Sequence, residues 1–256
     1  MAMHLSGFAL ASYVVAAMTI GMNAAHGAEL KVIASAGMKE VVTDLVPAFE
    51  KASGHKVPII WAGNENILSR IRGGEIVDLV IMAGSNLDKL IAEGKLVGAS
   101  RADIAKSGVG VAIRAGLPKP DISSTAALTE AVLAAKSIAY SSGPSGHYVT
   151  SLFKKMGIAD QIKHKVTQTP SGVQVGDIMA RGEADLGFQQ VSELIHVKGI
   201  EYLGPLPAEL MEYGSFSIGV LTLSKDAEAA KAFIKLATSP EAAPLIRKSS
   251  MEPPAK

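Results

Sequence analysis

The chain of 256 residues contains no cysteine, and this absence excludes disulfide bonds, thiolate metal sites and cysteine nucleophiles. Aromatic residues make up only 5% of the sequence, and the formal net charge is +1 at pH 7. Because a nucleic-acid-binding surface needs clustered basic charge, we expect no nucleic-acid partner. The 6 histidines are scattered without the spacing of metal ligands. We therefore expect no metal site and no cofactor.

Charged side chains are also missing from the start of the chain. Residues 5–22 are apolar or small, and residues 25–27 form a small-x-small pattern suited to cleavage before Ala28. We interpret residues 1–27 as a signal peptide, which predicts a periplasmic protein. A transmembrane anchor is the alternative, because the run approaches the ~20 apolar residues that span a bilayer. No later segment is long and apolar enough, so we expect no stable membrane insertion.

Beyond residue 28 the sequence repeats one arrangement: a short apolar run, a small polar or glycine-rich turn, and an amphipathic helix. The apolar runs lie at residues 30–34, 57–61, 79–82 and 138–140. Alternating strands and helices predict an α/β fold with largely parallel sheets and helices on both faces. Such turns leave backbone N–H groups unpaired at helix starts, where the helix dipole favours negative charge. They therefore predict anion-binding corners.

Two α/β units can be drawn along the mature chain, which predicts two lobes. We assign residues 28–107 and 214–256 to lobe I and residues 108–213 to lobe II. The predicted strands 108–114 and 216–223 are candidates to cross between the lobes and form a hinge. Ligands of open α/β sheets bind beyond the carboxyl ends of the strands. We therefore expect the turns of the two lobes to face one another as an anion clamp.

The candidate ligand-binding residues lie in these turns and offer hydroxyls, amides or main-chain N–H groups rather than positive charge. They are Ser35, Ala36, Gly37, Asn64, Asn66, Gly84, Ser85, Ser141, Ser142, Ser145, Gly146, Ser171, Gln189 and Gln190. Helix caps, turns and solvated loops are the ordinary explanations of the same residue types. The loop at residues 141–146 matches neither a nucleophile elbow nor a nucleotide-binding P-loop.

Several stretches of the chain resemble the periplasmic molybdate-binding family, the substrate-binding proteins of ABC importers. They are residues 32–36, 49–54, 70–81 and 182–188, together with the terminal helix pair around residues 232–242. The resemblance covers essentially the whole mature chain. It implies a type II periplasmic binding protein fold, a monomer, an ABC permease complex as partner, and a small anion held by hydroxyls and main-chain N–H groups. Ser35 matches the serine of the family's first turn.

The chain departs from that family in two turns. Residues 63–66, Gly-Asn-Glu-Asn, stand where the family has a run of serines, and residues 188–190, Phe-Gln-Gln, stand where a tyrosine is usual. Amide side chains offer donors and acceptors together, which suits a carboxylate or a mixed polar ligand. The anion therefore stays open between an oxyanion such as molybdate and an organic polycarboxylate.

The chain also resembles a branch of this family that includes aconitate isomerase. This resemblance implies an enzyme that removes a proton beside a carbonyl group and returns one. His147 and Tyr148 follow the serine-rich loop and are the candidate acid/base groups, although a surface histidine is the ordinary explanation of His147. Two functions stay open: capture of an anion for ABC-type import, which we prefer, and conversion between trans- and cis-aconitate on the same scaffold.

Overall fold

The computed structural model describes residues 29–254, so the predicted signal peptide lies outside the described residues. Strands and helices alternate along this part of the chain. The strands are β1 (Val32–Ser35), β2 (Ile59–Ala62), β3 (Leu79–Ala83), β4 (Ala102–Ser107), β5 (Val109–Arg114), β6 (Ile138–Ser141), β7 (Val166–Thr169), β8 (Leu186–Gln190), β9 (Ile200–Pro205) and β10 (Gly214–Val220). The helices are α1 (Lys39–Ser53), α2 (Asn64–Arg72), α3 (Gly84–Ala92), α4 (Thr125–Ala134), α5 (Pro144–Lys155), α6 (Ala159–Ile162), α7 (Val175–Ala180), α8 (Val191–Leu194), α9 (Ala227–Ala237) and α10 (Ala243–Lys248).

The strands form two five-stranded sheets with the same plan. The order is β2-β1-β3-β10-β4 in lobe I and β7-β6-β8-β5-β9 in lobe II. The first three strands of each sheet pair in parallel, and the fourth runs antiparallel to both of its neighbours. The predicted α/β fold of two lobes is thereby confirmed, with mixed sheets.

The path of the chain between the lobes explains why the fourth strand of each sheet is antiparallel. Gly108 alone separates β4 from β5, and residues 206–213 connect β9 to β10. The predicted hinge strands correspond to β5 and β10, and each begins directly after a crossing. Strands β5 and β10 start at the crossing, beside the other lobe, and therefore run away from that lobe. The parallel strands of each sheet end beside the other lobe, so β5 and β10 run antiparallel to them.

Each sheet is covered by helices on both faces. In β1, Val32 and Ala34 pack with α1, α9 and α10, whereas Ile33 packs with α2 and α3. In β5, Val111 belongs to the core under α4 and α5, and Ala112 to the core under α7 and α8. Neighbouring residues of a strand point to opposite faces, so a strand covered on both sides is a continuous apolar run. This explains why most central strands are recognisable in the sequence.

Asp78 connects three distant parts of lobe I. Its buried carboxylate accepts hydrogen bonds from the backbone N–H groups of Lys31 at 2.8 Å, Lys225 at 2.8 Å and Asp226 at 3.2 Å. The hydroxyl of Ser224 donates a further bond at 2.9 Å. Burial by itself raises the pKa of Asp78, but these hydrogen bonds to the charged form outweigh it and hold the pKa below its usual range.

We expect Asp78→Asn to lower the free energy of unfolding by about 2 kcal/mol near pH 7, because an amide cannot accept all of these bonds. In the wild type this contribution is present above the carboxyl pKa of the unfolded chain and is lost as pH falls through the lowered folded-state pKa. Urea unfolding at pH 7 and below pH 4 measures both effects, with the exposed Asp160→Asn as control. Equal stability of Asp78→Asn and the wild type at pH 7 would contradict this role.

Candidate functional site

A cleft of about 190 Å³ lies between the two lobes. Much of its wall consists of corners where strands β1, β2, β3 and β6 lead into helices. The volume is below the roughly 300–1,000 Å³ typical of pockets for drug-sized ligands, so a ligand enclosed here is small. The lining residues are Ser35, Ala36, Gly63, Asn64, Ala83, Gly84, Ser85, Ser141, Gly143, Pro144, Ser145, Ser171, Gly172, Gln190, Glu193, Gly214, Ser215 and Phe216.

Five helical segments begin at the cleft, and none of them has a side-chain cap at its start. Their N-cap residues are Ser35, Gly63, Ala83, Gly143 and Gln190. Away from the cleft, α4 and α9 are capped by the side chains of Ser124 and Asp226, whereas α6 and α10 are not capped. The first backbone N–H groups of a helix have no acceptor within the helix. The cleft therefore presents several oriented donors at the positive ends of helix dipoles, an arrangement that favours an anion.

Asn64 fixes the polar corners of lobe I. Its Nδ2 donates to Ser35 Oγ at 3.3 Å, and its Oδ1 accepts from the backbone N–H of Ala83 at 2.9 Å. Ser35 and Asn64 are only 5% and 6% exposed. Since the Ser35 oxygen accepts the bond from Asn64, its own proton can be donated to a ligand in the cleft.

Lobe II supplies similar donors from the opposite wall. Ser141 Oγ accepts from the backbone N–H of Gly143 at 2.9 Å, which leaves the Ser141 proton available to a ligand. Ser145 lies in the first turn of α5, and Ser171 lies in the loop before α7. The two lobes thus face each other with hydroxyls as well as main-chain donors.

The structure brings most of the predicted site residues together. Those that line the cleft are Ser35, Ala36, Asn64, Gly84, Ser85, Ser141, Ser145, Ser171 and Gln190. Those that lie outside the lining are Gly37, Asn66, Ser142, Gly146 and Gln189. In both lobes, therefore, residues far apart in the sequence meet at one crevice.

The residues outside the lining have local structural roles. Asn66 is exposed on α2, and Gly146 packs against the Ser141 carbonyl inside the first turn of α5. Gln189 is 1% exposed, and its Oε1 accepts from the Val175 N–H at 2.8 Å. Because neighbouring residues of a strand point to opposite faces, only Gln190 of the glutamine pair reaches the cleft lining.

Two further predicted residues are held by bonds of their own. The N–H of Ser142 donates to the Thr169 carbonyl at 2.7 Å. The carbonyl of Gly37 accepts from the hydroxyl of Ser192 in the other lobe at 3.0 Å. Both residues adjoin lining residues in the chain, Gly37 next to Ala36 and Ser142 between Ser141 and Gly143.

The acid/base pair predicted for an isomerase does not lie at the cleft. His147 is exposed, and neither His147 nor Tyr148 is among the lining residues. The Tyr148 hydroxyl donates to the Leu210 carbonyl, and burial raises the pKa of Tyr148. On the helix α5 only the first turn faces the cleft, so the geometry gives no support to a catalytic role of this pair.

Glu193 is a cleft residue that the sequence analysis missed. Within the described residues 29–254, it is the only lining residue with an ionisable side chain. Gln174 Nε2 donates to its Oε1 at 3.5 Å, and the side chain of Gln189 also hydrogen-bonds its carboxyl group. Desolvation by burial raises the pKa of Glu193 to about 7, against the opposing effect of these hydrogen bonds. Near neutral pH both its acid and its base form are therefore populated.

The sequence carries weak signals for the missed residues. Glu193 lies in α8, which has 4 residues and so shows no helical periodicity. Its signal is only that a carboxyl group follows the end of a buried strand. Gly214, Ser215 and Phe216 begin β10, directly after a crossing between the lobes. Strand periodicity predicts the body of β10 but not that its first residues return to the cleft.

The lobes contact each other directly beside the cleft. A β-carbon built on Gly63 of lobe I would overlap the carbonyl of Ser171 in lobe II and lie 2.6 Å from the Gly172 nitrogen. On the other side, His196 Nε2 lies 2.7 Å from Glu40 Oε2, again from one lobe to the other. The cleft is therefore closed, and its closure depends on a glycine at the contact.

A cleft of this construction between two similar α/β lobes defines a two-lobed binding protein. The model of the bacterial extracellular solute-binding protein family matches residues 30–252, and the chain belongs to this family. Along residues 29–254, none of the helices combines the length and the apolar character required to cross a bilayer.

Known relatives agree with the sequence resemblance. An aconitate isomerase from Pseudomonas sp is 37% identical over 230 residues, which cover 88% of this chain and 87% of that protein. The molybdate-binding protein ModA of Azotobacter vinelandii is 28% identical over 230 residues, covering 88% and 90%. The resemblance to the molybdate-binding family and its aconitate isomerase branch is confirmed.

A solved structure supports the fold as well. The periplasmic molybdate-binding protein of Azotobacter vinelandii matches with a TM-score of 0.75 at 22% identity, over 88% of this chain and 100% of that one. At this level of identity the match shows the shared two-lobed architecture.

Proposed function

We propose that this protein is an exported, monomeric solute-binding protein whose lobes close on a small organic polycarboxylate. The observation that carries the proposal is the convergence of five uncapped helix starts on one closed cleft. No lysine, arginine or histidine of residues 29–254 lines this cleft. Negative charge would be held by hydroxyls, amides and main-chain N–H groups, whose hydrogen bonds strengthen when water is excluded.

Glu193 favours a carboxylate ligand over a fully ionised tetrahedral oxyanion. An ionised carboxyl group in the cleft repels a dianion that cannot take up a proton at neutral pH. A carboxylic acid ligand can instead share a proton with Glu193, in a charge-assisted hydrogen bond. The buried Gln190 Oε1, which has no hydrogen-bond partner among the described residues, is a further polar atom in the wall. The 37% identical relative named aconitate isomerase supports the same class of ligand.

The proposal includes a membrane partner. The family consists of extracellular solute-binding proteins, and the predicted signal at residues 1–27 would export this chain. In the closed state the surfaces of the two lobes beside the cleft come into one fixed arrangement. An ABC permease complex would recognise that arrangement and receive the anion.

A second candidate function is isomerisation of aconitate in the same cleft. The specific observation in its favour is the carboxyl group of Glu193, with a pKa of about 7, among the lining residues. Simple capture of an anion does not need such a group, whereas moving a double bond needs a group that accepts and returns a proton.

A thermal-shift panel tests the ligand class. We expect trans-aconitate, cis-aconitate or citrate at about 100 times its dissociation constant to stabilise the protein by about 2.7 kcal/mol, which raises Tm by several degrees. Molybdate, tungstate and sulfate form the comparison set, at equal ionic strength. A flat response to all of them would contradict the anion clamp, and a response to molybdate alone would contradict the polycarboxylate. Incubation with trans-aconitate, followed by detection of cis-aconitate, then separates binding from catalysis.

A further inference from the structure

The helix α8 places one carboxyl group in the closed cleft and ties it to both lobes. Glu193 lines the cleft, and its neighbour Ser192 donates to the Gly37 carbonyl of lobe I at 3.0 Å. Behind it, Gln174 and Gln189 contact the carboxyl group, and Gln189 is itself fixed by the Val175 N–H at 2.8 Å. The side chain of Glu193 is therefore held in place by neutral amides.

We propose that Glu193 is the single proton-transfer group of an aconitate isomerase reaction, which removes a proton from one end of the ligand's three-carbon unit and returns it to the other end on the same face. This inference rests on the second candidate function above. It assigns both halves of the acid/base work to one residue.

The step balances without any oxidant or co-reactant. The Glu193 carboxylate takes a proton from the ligand's methylene carbon, and the electron pair of that C–H bond forms the new C=C bond. The π pair of the old C=C bond takes the proton from the Glu193 carboxylic acid and becomes a C–H bond at the far carbon. The geometry of the product is set about the former single bond between the methylene and the central carbon. When the carboxylates of these two carbons lie on the same side as the proton leaves, the new double bond is cis, and the former trans double bond becomes a freely rotating single bond.

Among the cleft-lining side chains of the described residues, Glu193 is the one suited to accept a proton at neutral pH. The other polar side chains that line the cleft are serine hydroxyls and amides, which are poor bases at neutral pH. They and the helix N–H groups suit a different task, because they can stabilise the negative charge that moves onto the ligand's carboxylates during proton removal. His147 and Tyr148 lie outside the lining, as described above.

Several charged groups beside the cleft pair with one another rather than with Glu193. Glu40 and His196 pair with each other at 2.7 Å, outside the cleft lining. Arg101, whose guanidinium lies 3.0 Å from a β-carbon built on Gly84, pairs with two aspartates. The burial that raises the pKa of Glu193 to about 7 suits a group that must accept a proton and give it back at neutral pH.

The first test is Glu193→Gln in the full mature protein, with trans-aconitate as the probe. We expect kcat for formation of cis-aconitate to fall about 1,000-fold. The dissociation constant of trans-aconitate, measured by calorimetry, should change less than ten-fold, which also shows that the variant is folded. The exposed Glu130→Gln is the matched control and should keep wild-type kcat. Turnover by Glu193→Gln within ten-fold of the wild type would overturn the assignment.

The second test follows the proton itself. Trans-aconitate that carries deuterium on its methylene carbon should yield cis-aconitate with part of the label on the new methylene carbon, because one group carries it across. Complete loss of the deuterium to solvent in single-turnover experiments would contradict the proposal that one group both removes and returns the proton. A wild-type protein that binds trans-aconitate without converting it would refute the isomerase and this inference, but not the binding protein. Absence of binding would refute the proposed ligand class itself.

Discussion

Gly63→Ala is expected to weaken the binding of trans-aconitate about 100-fold, which corresponds to about 3 kcal/mol. The backbone of Gly63 has φ −74° and ψ 155°, so alanine fits the local conformation. Its methyl group, however, would overlap the Ser171 carbonyl of the other lobe and prevent the cleft from closing fully. The loss corresponds to one or two hydrogen bonds to a charged ligand, at about 1.5–3 kcal/mol each.

Titration calorimetry of wild type and variant measures this effect. Gly98→Ala is the matched control, because Gly98 lies outside the cleft lining and a β-carbon built there would meet a flexible Ile91 methyl group at 3.3 Å. Solution scattering with saturating ligand should show compaction of the wild type and less compaction of Gly63→Ala. An unchanged dissociation constant would mean that closure at this contact does not contribute to binding.

Glu193→Gln is expected to raise the free energy of unfolding by about 3 kcal/mol at pH 8 and to leave it nearly unchanged at pH 4. The pKa of Glu193 is about 7 in the folded protein, above the ordinary value of 4.5. Between these values the folded state binds a proton that the unfolded state does not. Wild-type stability therefore falls as pH rises from about 4.5 to 7, and a neutral amide removes this loss.

Urea unfolding at several pH values between 4 and 8 measures the difference between the two proteins. Glu130→Gln, an exposed change of the same chemistry, should give a curve parallel to that of the wild type. A constant difference between Glu193→Gln and the wild type over this range would contradict the raised pKa and the enclosure that causes it. The same variant thus tests the electrostatics of the cleft without any ligand.

The secondary structure that the sequence predicts is nearly complete for central strands and long helices. The strands that it misses, β4 and β9, each lie at one of the two edges of their sheet. β4 contains Asp103 and Lys106, and β9 ends in Gly204 and Pro205. An edge strand has one side without a neighbour and tolerates charge and proline, so it lacks the continuous apolar run of a central strand.

The boundaries at the cleft were also less predictable than those elsewhere. From the sequence pattern alone we place the start of α5 near His147 and that of α3 at Leu87, but the two helices begin at Pro144 and Gly84. Glycine and serine have low helix propensity, so their pattern indicates a turn. In the fold these glycines and serines occupy the first turns of helices, whose starts have no side-chain cap and face the cleft.

The amino-acid sequence by itself determined the α/β class, the two lobes and the polar, uncharged character of the turns, because these depend on local apolar periodicity and on residue type. Only the tertiary structure decided which of these residues share the cleft. Gln190 faces it and Gln189 does not, because the β8 backbone turns them to opposite sides. The pKa of Glu193 is raised because the folded structure buries its carboxyl group beside Gln174 and Gln189, an effect of tertiary packing that no local pattern records.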